Sequence, residues 1–114
     1  MIKTLFQVID SKDAAGFAGL FAEECRFRFG NLPEVQGRQN IRNFVQGFFD
    51  SVQGLSHEVR EQWHVPGGLV YHGMVTYTRL DNSQLAVPFA VIISADSVGI
   101  REYLVFADTS GLYG

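Results

Sequence analysis

Apolar residues in the first half of the chain recur at helical spacing and predict three helices. The first ends at the turn-forming run Asp10-Ser11-Lys12-Asp13, and a second short helix is predicted from Asp13 to about Glu23. The third, from about Arg38 to Gln53, is the clearest, and Gly54 is placed as its carboxyl-terminal cap. Its apolar stripe consists of Ile41, Phe44, Val45, Phe48, Phe49 and Val52. A stripe of this width predicts that the helix lies on a sheet.

Alternating apolar and polar residues predict one short strand and four long ones. The stretch from Cys25 to Phe29 alternates, with Phe27 and Phe29 facing inward, and the loop Gly30 to Pro33 ends it. The long strands are His57 to Val65, Leu69 to Leu80, Leu85 to Ala95 and Gly99 to Ala107. Short turns join them, which predicts an antiparallel meander. Because the helices precede the meander, the predicted fold class is α+β, with the helices packed into a curved antiparallel sheet.

Strict alternation also assigns side chains to the two faces of the first and last long strands. In the first, His57 shares a face with Val59 and Trp63. In the last, one face is apolar apart from Glu102, and we expect it to line the interior; it consists of Ile100, Glu102, Leu104 and Phe106. The opposite, outer face of the sheet then carries Tyr103, Val105, Ala86, Ala90 and Ile92. So apolar an outer face predicts a homodimer that buries it.

Composition and charge narrow the class of protein. With 114 residues, of which 46% are apolar, residues 1–114 are expected to form one domain around one core. A net charge of −3 offers no basic surface to nucleic acid. The apolar runs are shorter than the roughly 20 residues of a membrane span, and Met1 to Gln7 meets polar residues too soon for a secretory signal. Together with a single cysteine, Cys25, predicted as a buried core thiol, these features favour a cytoplasmic protein without nucleic acid or membrane partners.

Several stretches resemble the nuclear transport factor 2-like superfamily, and within it the SnoaL-like group. The run Phe27-Arg28-Phe29-Gly30-Asn31 resembles the family's first strand and loop. His57-Glu58-Val59 with Trp63, Val87-Pro88-Phe89, and Gly99-Ile100-Arg101-Glu102-Tyr103 resemble its sheet. The resemblance implies a cone-shaped, cystatin-like domain whose sheet wraps around the long helix, leaves a cavity, and often dimerises through its outer face. Members include isomerases, dehydratases, cyclases and an epoxide hydrolase.

Three polar residues are candidate catalytic groups in such a cavity. Glu102 in apolar surroundings is a candidate general acid or base, and the alternative is an ion pair with an arginine near the cavity mouth. His57 is a candidate base, or else a core histidine bonded to the backbone. Tyr77 is a candidate donor to a substrate oxygen, or else a packing residue of the sheet. The pocket walls are predicted to be Phe27, Phe29, Phe48, Trp63, Phe89 and Leu104.

A further candidate pair, Arg79 and Asp81, lies two residues apart near the end of a predicted strand. The spacing is similar to the Arg-x-Asp of limonene epoxide hydrolase, in which one carboxylate activates water. Asp81, however, adjoins the predicted turn at Asn82-Ser83, so the alternative is a turn-forming aspartate beside a solvated arginine.

The sequence predicts no cofactor and no metal site. The glycine pair Gly67-Gly68 does not open a helix, and no two of the three histidines form a clear metal pair. Two functions stay open. One is a cofactor-independent acid–base enzyme of isomerase, dehydratase, cyclase or hydrolase type, acting on a small, largely apolar molecule. The other is a non-catalytic domain. Its cavity either carries a ligand or is filled by some of its ten phenylalanines, or its exposed sheet face binds another protein.

Overall fold

A computed structural model describes residues 2–112, so that Met1, Tyr113 and Gly114 of the predicted domain lie outside it. The helices are α1 (Ile2–Asp10), α2 (Ala14–Ala18) and α3 (Arg38–Asp50), and Ser110–Leu112 forms a short 3₁₀ turn. The strands are β1 (Phe21–Phe29), β2 (Val35–Gln36), β3 (Gly54–Val65), β4 (Gly68–Thr78), β5 (Gln84–Ala95) and β6 (Ile100–Ala107). The predicted order of helices followed by a four-stranded meander is confirmed.

Two predicted helix ends are wrong. Helix α2 ends at Ala18 rather than near Glu23, because the backbone from Phe21 onward pairs with β6 instead of continuing the helix. Helix α3 is capped at Ser51, whose backbone N–H bonds back to the last turn, so Gly54 is the first residue of β3 and no cap. Both differences arise from strand pairing, which local helix signals do not report.

The six strands form one curved sheet in the order β2-β1-β6-β5-β4-β3. Strands β3 to β6 pair as an antiparallel meander, as predicted. Strand β1 runs parallel to β6, so the sheet is mixed rather than wholly antiparallel. The parallel pair arises because α3 carries the chain from one side of the sheet to the far edge, and the meander brings it back beside β1.

Helix α3 packs its apolar stripe against the inner face of this sheet. Ile41, Val45 and Phe49 are buried, and Phe44 and Phe48 of the same stripe are half-buried. Helix α2 begins at an N-cap in which the Asp13 carboxylate accepts the backbone N–H of Gly16. The core therefore lies between the helices and the inner face of the sheet.

A β-bulge in β3 decides which of its side chains face this core. His57 pairs with Val75 and Val59 with Gly73, but Glu61 pairs with His72, so one extra residue lies between the two registers. An extra residue moves every later side chain to the other face. Trp63, which alternation places beside His57, is therefore on the outer face of the sheet.

A second bulge, in β6, has the same effect on the last strand. Ile100 pairs with Ala95 and Glu102 with Ser94, which leaves Arg101 as the extra residue. Ile100 and Tyr103 are consequently both buried, although they are three positions apart.

No helix within residues 2–112 is both long and apolar enough to cross a membrane.

Candidate functional site

A small apolar cavity of about 60 Å³ lies between α3 and the inner face of the sheet. Twelve of its fifteen lining residues have hydrocarbon side chains, and the three exceptions are His57, Tyr77 and Tyr103. The hydrocarbon wall consists of Ile9, Phe17, Phe27, Phe29, Phe44, Val45, Phe48, Phe49, Leu55, Phe89, Val91 and Val105. Four of the six wall residues expected from the sequence are among them: Phe27, Phe29, Phe48 and Phe89.

The His57 imidazole is held by the carboxylate at the end of α1. Its Nδ1 lies 2.7 Å from Oδ1 of Asp10, and the backbone N–H of His57 donates to Oδ2 of the same residue at 3.3 Å. The imidazole is 11% exposed and lies against the rings of Phe6 and Phe89, with centroid distances of 5.0 and 5.1 Å. Because a carboxylate accepts, Nδ1 carries the proton of this bond, and Nε2 is the ring nitrogen that can take up or release a second proton.

Asp10 is the partner of His57 that the sequence did not single out. The sequence marks it only as a helix-ending, turn-forming residue, and it lies 47 positions from its partner. A carboxylate at the carboxyl end of a helix meets the negative end of the helix dipole, which favours a cationic or N–H partner there. That mismatch is the one local signal that points to an unseen partner for Asp10.

Tyr77 shares the inner face with His57 on the neighbouring strand. The register pairs His57 with Val75 and Leu55 with Tyr77, so the two polar side chains are diagonal neighbours across β3 and β4. Tyr77 is buried, and its ring meets that of Phe48 edge-on at 5.7 Å. The structure thus brings two of the three candidate catalytic groups to one wall of the cavity.

Tyr71 and Tyr103 form a buried hydroxyl pair with their oxygens 2.8 Å apart, and Tyr103 also lines the cavity. Tyr71 is fully buried and Tyr103 is 3% exposed. Burial raises the pKa of both phenols well above the ordinary value, and the hydrogen bond between them partly offsets this at Tyr103 and adds to it at Tyr71. The prediction that Tyr103 and Val105 lie on the outer face is wrong, since both line the cavity.

Alkaline pH should destabilise the protein through this pair. The unfolded phenols ionise near pH 10 and the folded ones only above it, so their contribution is full below about pH 10 and is lost as the pH rises. Above about pH 10, two such groups lower the free energy of unfolding by ~2.7 kcal/mol per pH unit. Urea unfolding at about pH 9 and about pH 11 should show a steeper loss for the wild type than for Tyr71→Phe/Tyr103→Phe. Equal losses would contradict the buried, neutral pair.

A model of the SnoaL-like domain matches residues 2–102 of the chain. The chain belongs to the SnoaL-like domain family. The match spans the helices, strands β1 to β5 and the start of β6, and so includes most of the cavity wall. No curated protein sequence matches this SnoaL-like domain at a significant level.

Solved structures show that this SnoaL-like domain has the nuclear transport factor 2-like fold, also described as ketosteroid isomerase-like. A protein of that fold from Catenulispora acidiphila, in complex with trimethylamine, matches with a TM-score of 0.87 at 11% identity, covering 97% of this chain and 87% of the other. A protein described as a SnoaL-like polyketide cyclase from Jannaschia sp. matches with 0.78 at 15% identity, covering 98% and 88%. TerC, co-crystallised with polyporic acid, matches with 0.82 at 14% identity, covering 98% and 92%.

In this SnoaL-like domain Glu102 and Leu104 lie outside the cavity lining, and the prediction that they face it is wrong. The bulge at Arg101 breaks the alternation that grouped Glu102 with the buried Ile100. The Glu102 carboxylate, 24% exposed, instead pairs with the guanidinium of Arg26 at 2.9 Å on the outer side of the sheet. An ion pair of this exposure contributes at most ~1 kcal/mol.

The pair Arg79 and Asp81 is also outside the cavity lining and belongs to the turn after β4. Arg79 donates to the hydroxyl of Ser83 and to the carbonyls of Gln84 and Gly111. Asp81 accepts the hydroxyl and backbone N–H of Ser83, and these bonds lower the pKa of its exposed carboxyl. The turn-forming alternative describes this pair, and no Arg-x-Asp site faces the cavity.

Two remaining predictions concern Trp63 and Cys25. Trp63 is 49% exposed on the outer face, where its ring stacks on His72 with a centroid distance of 5.6 Å, so the predicted place in the pocket wall is wrong. Cys25 is buried, and burial raises the pKa of its thiol, which suits a core position and not a nucleophile.

Among residues 2–112, no group of three metal-ligating side chains is close enough together to hold a metal ion.

Proposed function

We propose that this SnoaL-like domain binds a small, largely apolar molecule in its cavity and acts on it by acid–base chemistry without a cofactor. The observation that carries the proposal is the bond between His57 Nδ1 and Asp10, because it leaves Nε2 as the remaining ring nitrogen of a residue that lines a largely apolar cavity. A buried imidazole oriented by a carboxylate is a common arrangement for moving protons.

Each polar group has a distinct part in this proposal. Asp10 fixes the tautomer and the ring orientation of His57, and it stabilises the imidazolium that forms when Nε2 takes a proton. Tyr77, diagonal to His57 on the same face, supplies a hydroxyl for the substrate or the leaving group. The hydrocarbon wall excludes water, which strengthens these electrostatic interactions. Isomerisation, dehydration, cyclisation and hydrolysis all fit this set of groups.

The relatives favour small organic ligands. One was solved with trimethylamine, another with polyporic acid, and a third is described as a polyketide cyclase. The cavity limits the size of the ligand, because its volume of about 60 Å³ is below the ~150 Å³ of a protein cavity that accepts benzene. A larger ligand requires the half-buried rings of Phe44 and Phe48 on α3 to move aside.

The narrow cavity favours one alternative, a non-catalytic domain. Its cavity then either holds a small ligand without converting it or is filled by the aromatic rings of the core. The bond between His57 and Asp10 is in that case a structural link between α1 and β3. The two functions differ in whether His57 is needed for any turnover.

The test is a proton-transfer screen in deuterated water. Wild-type protein is incubated with a mixture of small alkenes, ketones and epoxides, and mass spectrometry follows deuterium on carbon and the addition of water. If the wild type converts any compound and His57→Gln does not, the result supports the enzyme. Binding of apolar compounds without conversion supports the binding domain and contradicts the enzyme.

We also propose that the outer sheet face joins two copies of the chain. The register aligns Trp63, Val70, Ile92 and Leu104 in one row across four strands, and Val65 and Phe106 extend it. Four members of this outer row are exposed: Trp63, Val65, Ile92 and Phe106. An exposed apolar surface of this extent is typical of an interface between subunits.

Substitution of Ile92 by aspartate should convert the dimer to a folded monomer. A charge at the centre of the outer row must be desolvated in the interface but not in the free subunit. Sedimentation at micromolar concentration measures the change, and Leu80→Asp is the matched control, because Leu80 is exposed in a turn away from that row. A wild-type protein that sediments as a monomer would contradict this proposal.

A further inference from the structure

The outer sheet face carries an unpaired charge toward each of its two sides. Leu104 of the outer row pairs with Arg28 of β1, so the aligned residues continue from Trp63 on β3 to a guanidinium on β1. Glu61 precedes Trp63 by two positions and lies on the same face of β3, where it pairs with His72. Arg28 and Glu61 are both exposed, and within the described part of the chain neither side chain has a hydrogen bond or ion pair.

The neighbouring charges on this face are already paired. The guanidinium of Arg26 lies 2.9 Å from the carboxylate of Glu102. That of Arg60 lies 3.2 Å from the carboxylate of Glu58. Trp63 is 49% exposed, so part of its ring is left for a partner. The face therefore offers a cation at one side, an anion beside an aromatic ring at the other, and apolar side chains between them.

Symmetry allows two aligned arrangements of such faces. Two sheets that pack face to face with aligned strands can be related by a two-fold axis along the strands or by one across them. Strand β5 lies midway between β1 and β3 in the order β1-β6-β5-β4-β3. An axis along β5 therefore places β1 of one copy over β3 of the other. An axis across the strands places β1 over β1 and β3 over β3.

The charges favour the axis along β5. In that arrangement each Arg28 faces the partner's Glu61 and Trp63, and Ile92 meets its own copy at the centre. These contacts of Arg28 occur twice, because the two-fold axis repeats them. An axis across the strands would instead gather both Arg28 guanidinia at one side of the interface and both Glu61 carboxylates at the other. Like charges placed together disfavour that arrangement.

We infer that two copies of the chain pack their outer faces about a two-fold axis along β5, with Arg28 of each copy bound to the partner's Glu61 and Trp63. The inference rests on the proposed dimer, to which it adds the arrangement of the subunits and the contacts that fix it. A guanidinium suits this place, because it can pair with a carboxylate while its plane lies against an aromatic ring. The apolar row then supplies the buried area, and the charges at the two sides fix the orientation.

The test uses charge reversal at the two positions. Arg28→Glu and Glu61→Arg each place like charges together twice in the dimer, so we expect each to raise the dissociation constant of the dimer roughly 10- to 100-fold. Reversing both charges in one chain restores opposite charges, so Arg28→Glu/Glu61→Arg should dimerise more tightly than either single variant. Sedimentation over a range of protein concentrations measures each constant. Arg42→Glu, on the exposed side of α3, is the matched control and should leave the constant unchanged.

A mixture of the two single variants gives a second readout. A mixed dimer contains one native pair and one reversed pair, so native mass spectrometry should show mixed dimers well above the share expected from random pairing. A double variant no tighter than the single ones, or a tighter dimer in Arg28→Glu, would overturn this arrangement and leave the dimer and the cavity function standing. A wild-type protein that stays monomeric would overturn the dimer and the arrangement together.

Discussion

Replacing His57 with glutamine should lower the rate of the proton-transfer reaction found in the screen by roughly 10²–10⁴-fold. Glutamine can still donate to Asp10, so the link between α1 and β3 survives, but it has no basic nitrogen to take a proton. Asp10→Asn should also lose activity, because an amide no longer fixes the tautomer of His57. The measurement is kcat and KM by mass spectrometry, with the loss expected in kcat.

Glu102→Gln is the matched control for this prediction. Its carboxylate pairs with Arg26 outside the cavity, so we expect less than about a twofold change in rate. A large loss in Glu102→Gln together with a small loss in His57→Gln would contradict the assignment of the base. The thermal unfolding of each variant shows whether a lost rate reflects chemistry or folding.

Replacing Gly73 with alanine should destabilise the protein by about 3 kcal/mol or more. Gly73 lies opposite Val59 at the bulge of β3, and a Cβ there would overlap the carbonyl oxygen of Glu58. The obstacle is backbone, which cannot rotate away, so the two strands must separate or the register must slip. For a domain of this size the melting temperature should fall by roughly 10 °C or more.

Gly47→Ala provides the comparison within the same chain. Gly47 is in α3, and an added Cβ would meet nothing within 4 Å, so this change should stabilise the helix by about 0.5–1 kcal/mol. Thermal unfolding of the two variants should therefore shift in opposite directions. A Gly73→Ala protein as stable as wild type would contradict the close approach of β3 and β4 at the bulge.

The sequence predicts the elements of this SnoaL-like domain well because their signals are local. The apolar stripe of α3 has the helical period, and the meander strands are long and separated by turn residues. Four phenylalanines of the cavity wall follow from the same signals. Phe48 lies on the stripe of α3, and Phe27 lies on the inner face of the first strand.

The faces of the strands could not be predicted past a bulge. Alternation places Trp63 with His57 and Glu102 with Ile100, and in each pair an intervening extra residue separates the two faces. A bulge needs one unpaired residue, which can be of almost any type, so periodicity alone does not locate it. Both faces of β6 are also rich in apolar residues, which removes the contrast that a half-buried strand normally shows.

The polar contacts of the site depend on pairings that are distant in the sequence. Asp10 meets His57 because α1 packs against β3. Tyr71 of β4 meets Tyr103 of β6 across β5, the strand between them. Neither pairing has a motif or fixed spacing. Alternation therefore predicts only the face on which a candidate residue lies, and it does not predict that Asp10 pairs with His57.

The most direct test of the central claim is a crystal structure of the protein soaked with a compound that the screen shows to bind or to be converted. We predict the ligand inside the cavity, with one of its atoms within about 3.5 Å of Nε2 of His57. A cavity closed by Phe44 and Phe48, with no ligand at concentrations well above those used in the screen, would contradict the account. The base at His57 would then have no substrate to act on.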